Sequence, residues 1–350
     1  MSQHDELLSK VDLAIDKSIQ YLEQRQMHNG EFLAYISGEE TMEQWCAPDT
    51  TNYMTAIIAH CLLPLQHHPT VNRMLKKSTD FFQYQMMRGG TWNYLTKFHW
   101  LFRLNAPDVD DTSLISDFLK KRNISIPDNI ALLKSNRNAD GLFYTWFTFH
   151  GRFRSYPLTF WKIVARELKS PFSNVILWKK SGINRNDIDS AINANVISYL
   201  GHNEITEQAI QFLVKLIKEN LEEHSDHYYK NPFVFYYFVS RLVFLNIQPL
   251  VEIKNLIAHK LKSLVQTNEK DNRCDLELAL AVSSLLMLYE PANEVTEQVQ
   301  DLLQRQNTNF HWKRHAFYST STGYFWGCEE LTTALCIEAL HLYKNAMSDN

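Results

Sequence analysis

The chain has 350 residues, of which 45% are hydrophobic and 21% charged, with a formal net charge of −4 at pH 7. This composition is typical of a globular protein, and the lack of a long basic run argues against nucleic acid as a ligand. Five scattered cysteines without a CxxC pair, a polar amino terminus and no apolar run long enough for a bilayer predict a cytoplasmic protein without a disulfide framework.

The first half of the chain predicts helices joined by polar loops. Apolar residues recur with helical spacing over residues 6–26, 54–63, 71–85 and 160–168, and in a helix that begins at 108–113. Residues 136–141 are a loop by composition. The aromatic run 143–149 has the propensity of a strand, but the sequence offers it no partner strand, so we expect an aromatic loop.

The second half is more regular and completes an alternation of two kinds of helix. Helices are predicted over residues 187–200, 205–221, 232–247, 250–265, 271–289, 293–306 and 328–343. Six helices of the chain are apolar on most sides, which is typical of buried helices, and each follows a more amphipathic one. This alternation predicts an all-α (α/α)6 toroid, with six inner and six outer helices, formed by residues 1–350 as a single domain.

In such a ring the amino ends of the inner helices open at one mouth. We expect this mouth to collect the acids at the inner helix starts, namely Asp49, Asp110, Asp187, Asp189, Asp275 and Glu329. Asp110 should face the central cavity, while Asp111 or Thr112 bonds the first amides of its own helix. Residues 143–149 should lie over or beside the mouth.

The acidic stretch at 108–113 places three carboxylates within four residues, directly before a helix. A helix amino end favours negative charge, and one of these residues can serve as the N-cap. Capping needs only one acid, however. The more specific hypothesis is that Asp110 acts as a Brønsted acid. Its strength as a proton donor would then be set by the neighbouring carboxylates of Asp108 and Asp111.

A second regularity recurs where three outer helices end. Gln26 is followed by Gly30 and Phe32, Gln85 by Gly90 and Trp92, and Gln306 by Phe310 and Trp312. The glutamine can bond exposed backbone at a helix end, the glycine turns the chain, and the aromatic ring packs back over the turn. This pattern indicates a stabilising device between helices.

Together the two patterns resemble a known family. Glutamine-ended helices followed by Gly-x-Trp resemble the QW repeats of squalene–hopene and oxidosqualene cyclases. Residues 108–112, Asp-Val-Asp-Asp-Thr, resemble the more specific DxDDT motif of class II terpene cyclases. Residues 138–146 and 189–196 are similar to features of small bacterial members with a single toroid.

The resemblance implies that Asp110 protonates an alkene or epoxide of a small isoprenoid substrate, tuned and oriented by Asp108 and Asp111. The resulting carbocation needs dry aromatic walls. We therefore expect substrate contacts from side chains near the mouth: Trp146, Tyr144, Phe147, Asp189, Asn193, Phe325 and Trp326. No cofactor is implied, and Mg²⁺ would be needed only if the substrate carries a diphosphate.

One departure from the family concerns length. Class II cyclases usually enclose their site between two toroids, and this chain has length for one. Either loops close the mouth, with residues 136–157 the best candidates, or a second subunit covers it, or the motif persists without the chemistry. Peripheral contact with a membrane also stays open.

Other chemistries fit the sequence less well. Zinc, as in protein prenyltransferases, would need ligands around Cys274 and Asp275, and no third ligand is evident. A glycosidase could pair Asp110 with Glu329 or Asp189. The rival from a different class is a non-catalytic toroid that binds a lipid, peptide or protein at its acidic mouth. If Asp110 merely caps its helix, Asp110→Asn should destabilise the protein.

Overall fold

The computed structural model describes residues 3–151, 156–165, 184–267 and 273–348, and helices dominate them. Numbered in chain order, they are α1 Gln3–Arg25, α2 Asn52–Leu62, α3 Pro69–Gln85, α4 Val109–Lys121, α5 Ile130–Ser135, α6 Leu158–Val164, α7 Ser190–Leu200, α8 Glu207–Glu219, α9 Pro232–Phe244, α10 Gln248–Val251, α11 Lys254–Thr267, α12 Asp275–Met287, α13 Thr296–Arg305 and α14 Glu329–Ser348. The predicted helices match these in order, apart from the short α5 and α10. The predicted helix end at 166–168 and helix start at 271–272 lie outside the described residues. No described helix is both long and apolar enough to cross a bilayer.

Within the described residues, six largely buried helices contact one another in a closed order. Helix α2 packs on α4, α4 on α7, α7 on α9, α9 on α12, α12 on α14, and α14 returns to α2. More amphipathic helices lie against them: α3 contacts α2, α8 contacts α7, α11 contacts α9 and α12, and α13 contacts α12 and α14. The apolar side chains of both sets share a common hydrophobic core.

Two small antiparallel sheets, which the prediction of an all-α chain omitted, link these helices in the described part. One has the order β2-β1-β6-β5, with β1 Ala34–Ser37, β2 Ala47–Asp49, β5 Tyr318–Ser319 and β6 Phe325–Gly327. The other pairs β3 Trp92–Asn93 with β4 Pro107–Asp108. Each strand has at most four residues, which is too short for alternation to be visible in sequence. The strands fix the connections that lead into α2, α4 and α14.

The glutamine–aromatic repeats make hydrogen bonds near the carboxyl ends of α1, α3 and α13. Gln26 donates from Nε2 to the carbonyls of Gly30 and Met74, at 3.1 and 3.0 Å. The indole N–H groups of Trp92 and Trp312 each donate to a carbonyl ten residues earlier, at 2.8 Å. Each ring therefore adds a second donor to a carbonyl near the carboxyl end of α3 or α13, which already accepts the amide of Met86 or Gln306.

The turn between glutamine and ring needs a left-handed residue. Gly30 has φ +94°, and a Cβ there would lie 2.2 Å from the carbonyl oxygen of Lys77. Phe310, where the third repeat lacks glycine, has φ 63°. The backbone conformation of the turn is thus kept while the residue type changes, at the steric cost of a side chain in this region.

Candidate active site

A cavity of about 400 Å³ lies at the amino ends of α2, α4 and α7. Its volume falls in the range of pockets that enclose a small molecule. Eight of its 21 lining residues are tyrosine or tryptophan: Tyr53, Tyr94, Trp100, Trp146, Tyr228, Tyr229, Tyr318 and Trp326. Asp108, Asp110 and Asp111 also line it.

The acidic stretch is held in place by strand-like pairing on two sides. Asp108 pairs with Trp92 in the small sheet and forms an isolated bridge with Trp146. The amide of Val109 donates to the carbonyl of Thr145 at 2.9 Å. The aromatic run 143–149 therefore remains a loop with isolated bridges, and it fixes the backbone beside the acids. From this run Thr145 and Trp146 reach the cavity wall.

Asp108 is the N-cap of α4. It has extended backbone angles, and its Oδ1 accepts a hydrogen bond from the amide of Asp111 at 2.7 Å. The prediction that Asp111 or Thr112 caps this helix was wrong. An N-cap must stand just outside the helix, and both residues lie inside it. Thr112 instead accepts a bond at Oγ1 from the amide of Trp92, 3.0 Å away.

Asp110 is buried and both of its carboxyl oxygens accept hydrogen bonds from other parts of the fold. Asn195 on α7 donates from Nδ2 to Oδ1 at 2.8 Å, and Tyr229, just before α9, donates to Oδ2 at 2.5 Å. Burial raises the pKa of Asp110 to about 7, although these two donors lower it. The carboxyl group can therefore hold a proton near neutral pH.

The flanking acids favour protonation as well. Burial and the charge of Asp110 raise the pKa of Asp108 to about 8. Burial and the charge of Asp108 raise the pKa of Asp111 well above its usual value. Negative charge on one of these carboxyl groups therefore disfavours the ionisation of its neighbours. Oδ1 of Asp111 is buried without a hydrogen-bond partner among the described residues.

The aromatic residues predicted to contact substrate fall into two groups. Trp146 and Trp326 line the cavity. Tyr144 stacks on His150 with ring centroids 3.8 Å apart, Phe147 is fully buried in the core, and Phe325 lies in β6 opposite Ser37. These three do not line the cavity.

Asp189 and Asn193 hold backbone together at the start of α7. Asp189 caps the helix through Ala191 and Ile192, and its Oδ2 accepts from the amide of His227 at 2.9 Å. Asn193 bonds both the amide and the carbonyl of Phe143, at 3.0 and 3.2 Å. Neither side chain lines the cavity. These contacts form a polar network between neighbouring backbone segments.

The other acids of the predicted mouth are divided as well. Asp49 lines the cavity. Asp187 accepts from the phenol of Tyr228 at 3.0 Å, Asp275 lies 3.6 Å from Arg305, and Glu329 pairs with Arg314 at 2.9 Å. None of these last three residues lines the cavity. Asp110 and Glu329, the pair that a glycosidase could have used, therefore do not share this pocket. Around Cys274, as elsewhere in the described residues, His, Cys, Asp and Glu form no group of three suited to a metal.

Several cavity residues were absent from the prediction. Tyr53, Tyr229 and Tyr318 line it. Asn195, which donates to Asp110, was not among the predicted site residues either. One signal could have found two of the tyrosines. Tyr53 and Tyr229 stand within two residues of the polar starts of α2 and α9, the same place in the pattern that the acids occupy before α4.

The fold matches solved structures of terpene cyclases. A variant of type II terpene cyclase MstE from Scytonema, in complex with geranylgeranyl dihydroxybenzoate, has a TM-score of 0.66 and 14% identity, over 97% of this chain and 99% of that one. Another variant, in complex with the product merosterolic acid A, has a TM-score of 0.67 and 13% identity over the same shares. A protein from Actinoplanes has a TM-score of 0.68 and 14% identity, over 95% and 99%.

At these identities the likeness establishes the fold. No protein-family model matches the chain, and no curated protein matches it by sequence. The chain thus has a terpene cyclase fold over nearly its whole length, and nearly the whole of each similar structure is covered.

Proposed function

We propose that the protein is a class II-type terpene cyclase, in which Asp110 protonates a C=C bond or an epoxide of an isoprenoid chain. The observation that supports this proposal best is the position of Asp110. Its side chain is shielded from bulk solvent, and it lines an apolar cavity that contains many aromatic rings. The fold shared with structures of MstE, whose complexes hold an isoprenoid substrate and its product, supports the same class of reaction.

The surroundings of Asp110 suit a proton donor that is protonated near neutral pH and whose conjugate base is stabilised by hydrogen bonds. When Asp110 gives its proton to carbon, the carboxylate that remains is stabilised by the N–H of Asn195 and the O–H of Tyr229. Stabilising the conjugate base strengthens the acid, while burial keeps the proton on it at neutral pH before reaction. Asp108 and Asp111, whose pKa values are also raised, hold protons of their own and so add little negative charge beside Asp110.

The aromatic wall suits the carbocation that protonation creates. Ring faces attract a cation, most strongly where water is excluded, and the wall supplies Trp and Tyr rings around the chain. Two local segments complete the wall above the helix ends: residues 94–101 and the β5–β6 hairpin. We propose that they close the mouth of a single domain of residues 1–350.

We also propose that the helices form an (α/α)6 toroid. The closed order of contacts from α2 through α4, α7, α9, α12 and α14 supports an inner ring, and the amphipathic helices packed on it support an outer one. In this arrangement the acids of α4 lie at the amino ends of the inner helices, where the helix dipoles favour the carboxylate left after proton transfer.

Product analysis in D₂O tests the proposed reaction directly. The purified protein should convert squalene or a C10 to C20 isoprenoid, offered as diphosphate and as free alcohol, to a cyclic product. The product should carry one deuterium at the carbon that Asp110 protonated, which mass spectrometry detects. Failure to convert any of these substrates would show that the protein is not a cyclase for them. A cyclic product without deuterium would contradict a mechanism that begins with protonation by an acid.

The rate should depend on pH through the acid itself. Since Asp110 must be protonated to act and its pKa is raised to about 7, activity is fully present below that pKa and is lost as pH rises through it. Above pH 7 the initial rate should fall about tenfold for each pH unit. Initial rates between roughly pH 5 and 9 check this, and rates that rise through pH 7 would contradict it.

Tyr229→Phe should move this pH profile. Without the phenol O–H the carboxylate of Asp110 loses a donor, so its pKa rises and the fall in rate shifts to higher pH. The maximal rate should drop by about 10- to 100-fold, because a weaker acid protonates carbon less readily. Tyr94→Phe is the matched control, since its hydroxyl also lies in the cavity wall but bonds Tyr318. A shift equal in both variants would contradict a specific role of Tyr229.

A further inference from the structure

A cyclisation that begins with a proton must also lose one if the product is an alkene. The carbocation at the end of the cascade gives up a proton from an adjacent carbon, and the C–H electron pair becomes the new C=C bond. The group that takes this proton must reach the cavity and lie apart from the acid. Asp108 and Asp111 lie beside Asp110 at the start of α4, so they do not meet this need.

A further carboxylate, that of Asp49, lines the cavity and lies apart from Asp110. Asp49 ends β2 and lies beside one hydrogen-bond donor and one imidazole ring. The indole N–H of Trp326 donates to Oδ2 at 2.8 Å, and Nε2 of His99 lies 3.4 Å from Oδ1. The amide of Leu101 donates to Nδ1 of His99 at 3.1 Å, so the hydrogen of the neutral ring is on Nε2, the nitrogen beside Asp49.

The side chains of both Asp49 and His99 are only slightly exposed, at 13% and 17%. Burial lowers the pKa of His99, opposed by the charge of Asp49. A neutral imidazole beside a carboxylate orients it without cancelling its charge. The backbone is fixed as well, because Asp49 is paired with Ala34 in the sheet.

A continuous row of rings joins the two carboxyl sites. Trp326, which donates to Asp49, stacks on the next ring with centroids 5.6 Å apart and planes at 10°. The following steps are 5.2 Å and 6.1 Å, and the last ring donates to Asp110. In order, the four cavity-lining rings are Trp326, Tyr318, Tyr53 and Tyr229. A polyene laid along this row would keep the migrating positive charge against aromatic rings from Asp110 to Asp49.

We propose that Asp49 is the base that ends the reaction, with His99 and Trp326 as the residues that position it. This rests on the proposed function. One proton enters the substrate from Asp110 and one leaves carbon for Oδ1 or Oδ2 of Asp49, so the conversion is an isomerisation that needs no co-reactant. Both carboxyl groups then return to their starting states by exchanging protons with solvent.

The test compares products of the wild type, Asp49→Asn, Trp326→Phe and Asp110→Asn on whichever isoprenoid the wild type converts. Asp49→Asn should lower formation of the wild-type alkene by at least about 100-fold. Consumption of substrate should fall much less, with shifted alkene isomers or a water-captured alcohol as the main products. Trp326→Phe, which keeps a ring but loses the N–H, should shift products in the same direction to a smaller extent. The exposed Asp80→Asn is the control and should match wild type.

The outcomes separate the two proposals. If Asp49→Asn gives an unchanged product ratio while Asp110→Asn is inactive, Asp49 is not the terminating base, and the assignment of Asp110 as the acid stands. A folded Asp49→Asn protein as inactive as Asp110→Asn would also overturn the assignment of Asp49, because a terminating base acts after consumption. If Asp49→Asn does not fold, Trp326→Phe and His99→Gln decide, and wild-type products from both would overturn the proposal. A wild type that converts no isoprenoid overturns both proposals.

Discussion

Asp110→Asn is expected to reduce cyclisation by about 10³-fold or more, in line with the loss of a positioned general acid in a reaction that has no other strong proton donor. The amide is close in shape to the carboxyl group and fits the same buried site. The loss of activity would therefore result from the missing acidic proton and not from a change in the shape of the site. Asn keeps one oxygen that can accept from Tyr229. Product formation by the purified variant under saturating substrate measures the effect.

The stability of the same variant separates an active-site acid from a helix cap. The pKa of Asp110 is raised from 3.8 to about 7, so the folded state binds more protons than the unfolded state between these values. The contribution of Asp110 to the stability of the wild type therefore falls as pH rises from about 4 to 7 and is then level. Asn lacks this penalty and should be more stable than Asp above pH 7, by up to about 4 kcal/mol. The difference should vanish below about pH 4.

Urea unfolding of Asp110→Asn at pH 8 and pH 4 checks this expectation. Asp108, and not Asp110, caps α4, so the variant loses no cap. A variant clearly less stable than wild type at both pH values would favour the non-catalytic toroid, in which the acids serve only structure. An active wild type with an equally active Asp110→Asn variant would remove the mechanism.

Trp92→Ala is expected to destabilise the protein by about 3–5 kcal/mol, the usual cost of removing a large buried aromatic side chain. The ring of Trp92 is fully buried, and its N–H bonds the carbonyl of Phe82 at the end of α3 at 2.8 Å. Its removal leaves a cavity and takes away one of the two donors to that carbonyl, which the amide of Met86 also bonds. Because Trp92 also pairs with Asp108 in the small sheet, the start of α4 should lose order as well. The midpoint of urea unfolding measures the change.

Trp100→Ala is the control for the loss of an indole. Trp100 is 81% exposed, so its removal should change the free energy of unfolding by no more than about 0.5 kcal/mol. Trp312→Ala should behave like Trp92→Ala, since its N–H makes the same bond to Leu302. If Trp92→Ala and Trp100→Ala were equally stable, the buried repeat would not stabilise the fold.

The sequence by itself determined the helices and the position of the acids. Helical periodicity is a local property, because residues three and four apart share a face whatever the rest of the chain does. The polar starts of α4, α7 and α9 were therefore visible, and the acids of residues 108–111 could be placed at a helix amino end. The exact cap was missed, since which acid stands just outside the helix depends on where pairing with Trp92 ends.

Only the tertiary structure decided what surrounds each acid. The donors to Asp110 lie 85 and 119 residues away, and the indole that holds Asp49 lies 277 residues away. Asp189 and Asn193 carry the same side chains as the true cavity residues, but they face backbone and not the cavity. Such contacts are set by how helices and short strands pack against one another, and packing geometry leaves no periodic trace in the chain. The sequence could therefore supply the acid, whereas its partners and the carboxylate at the far end of the row of rings required the fold.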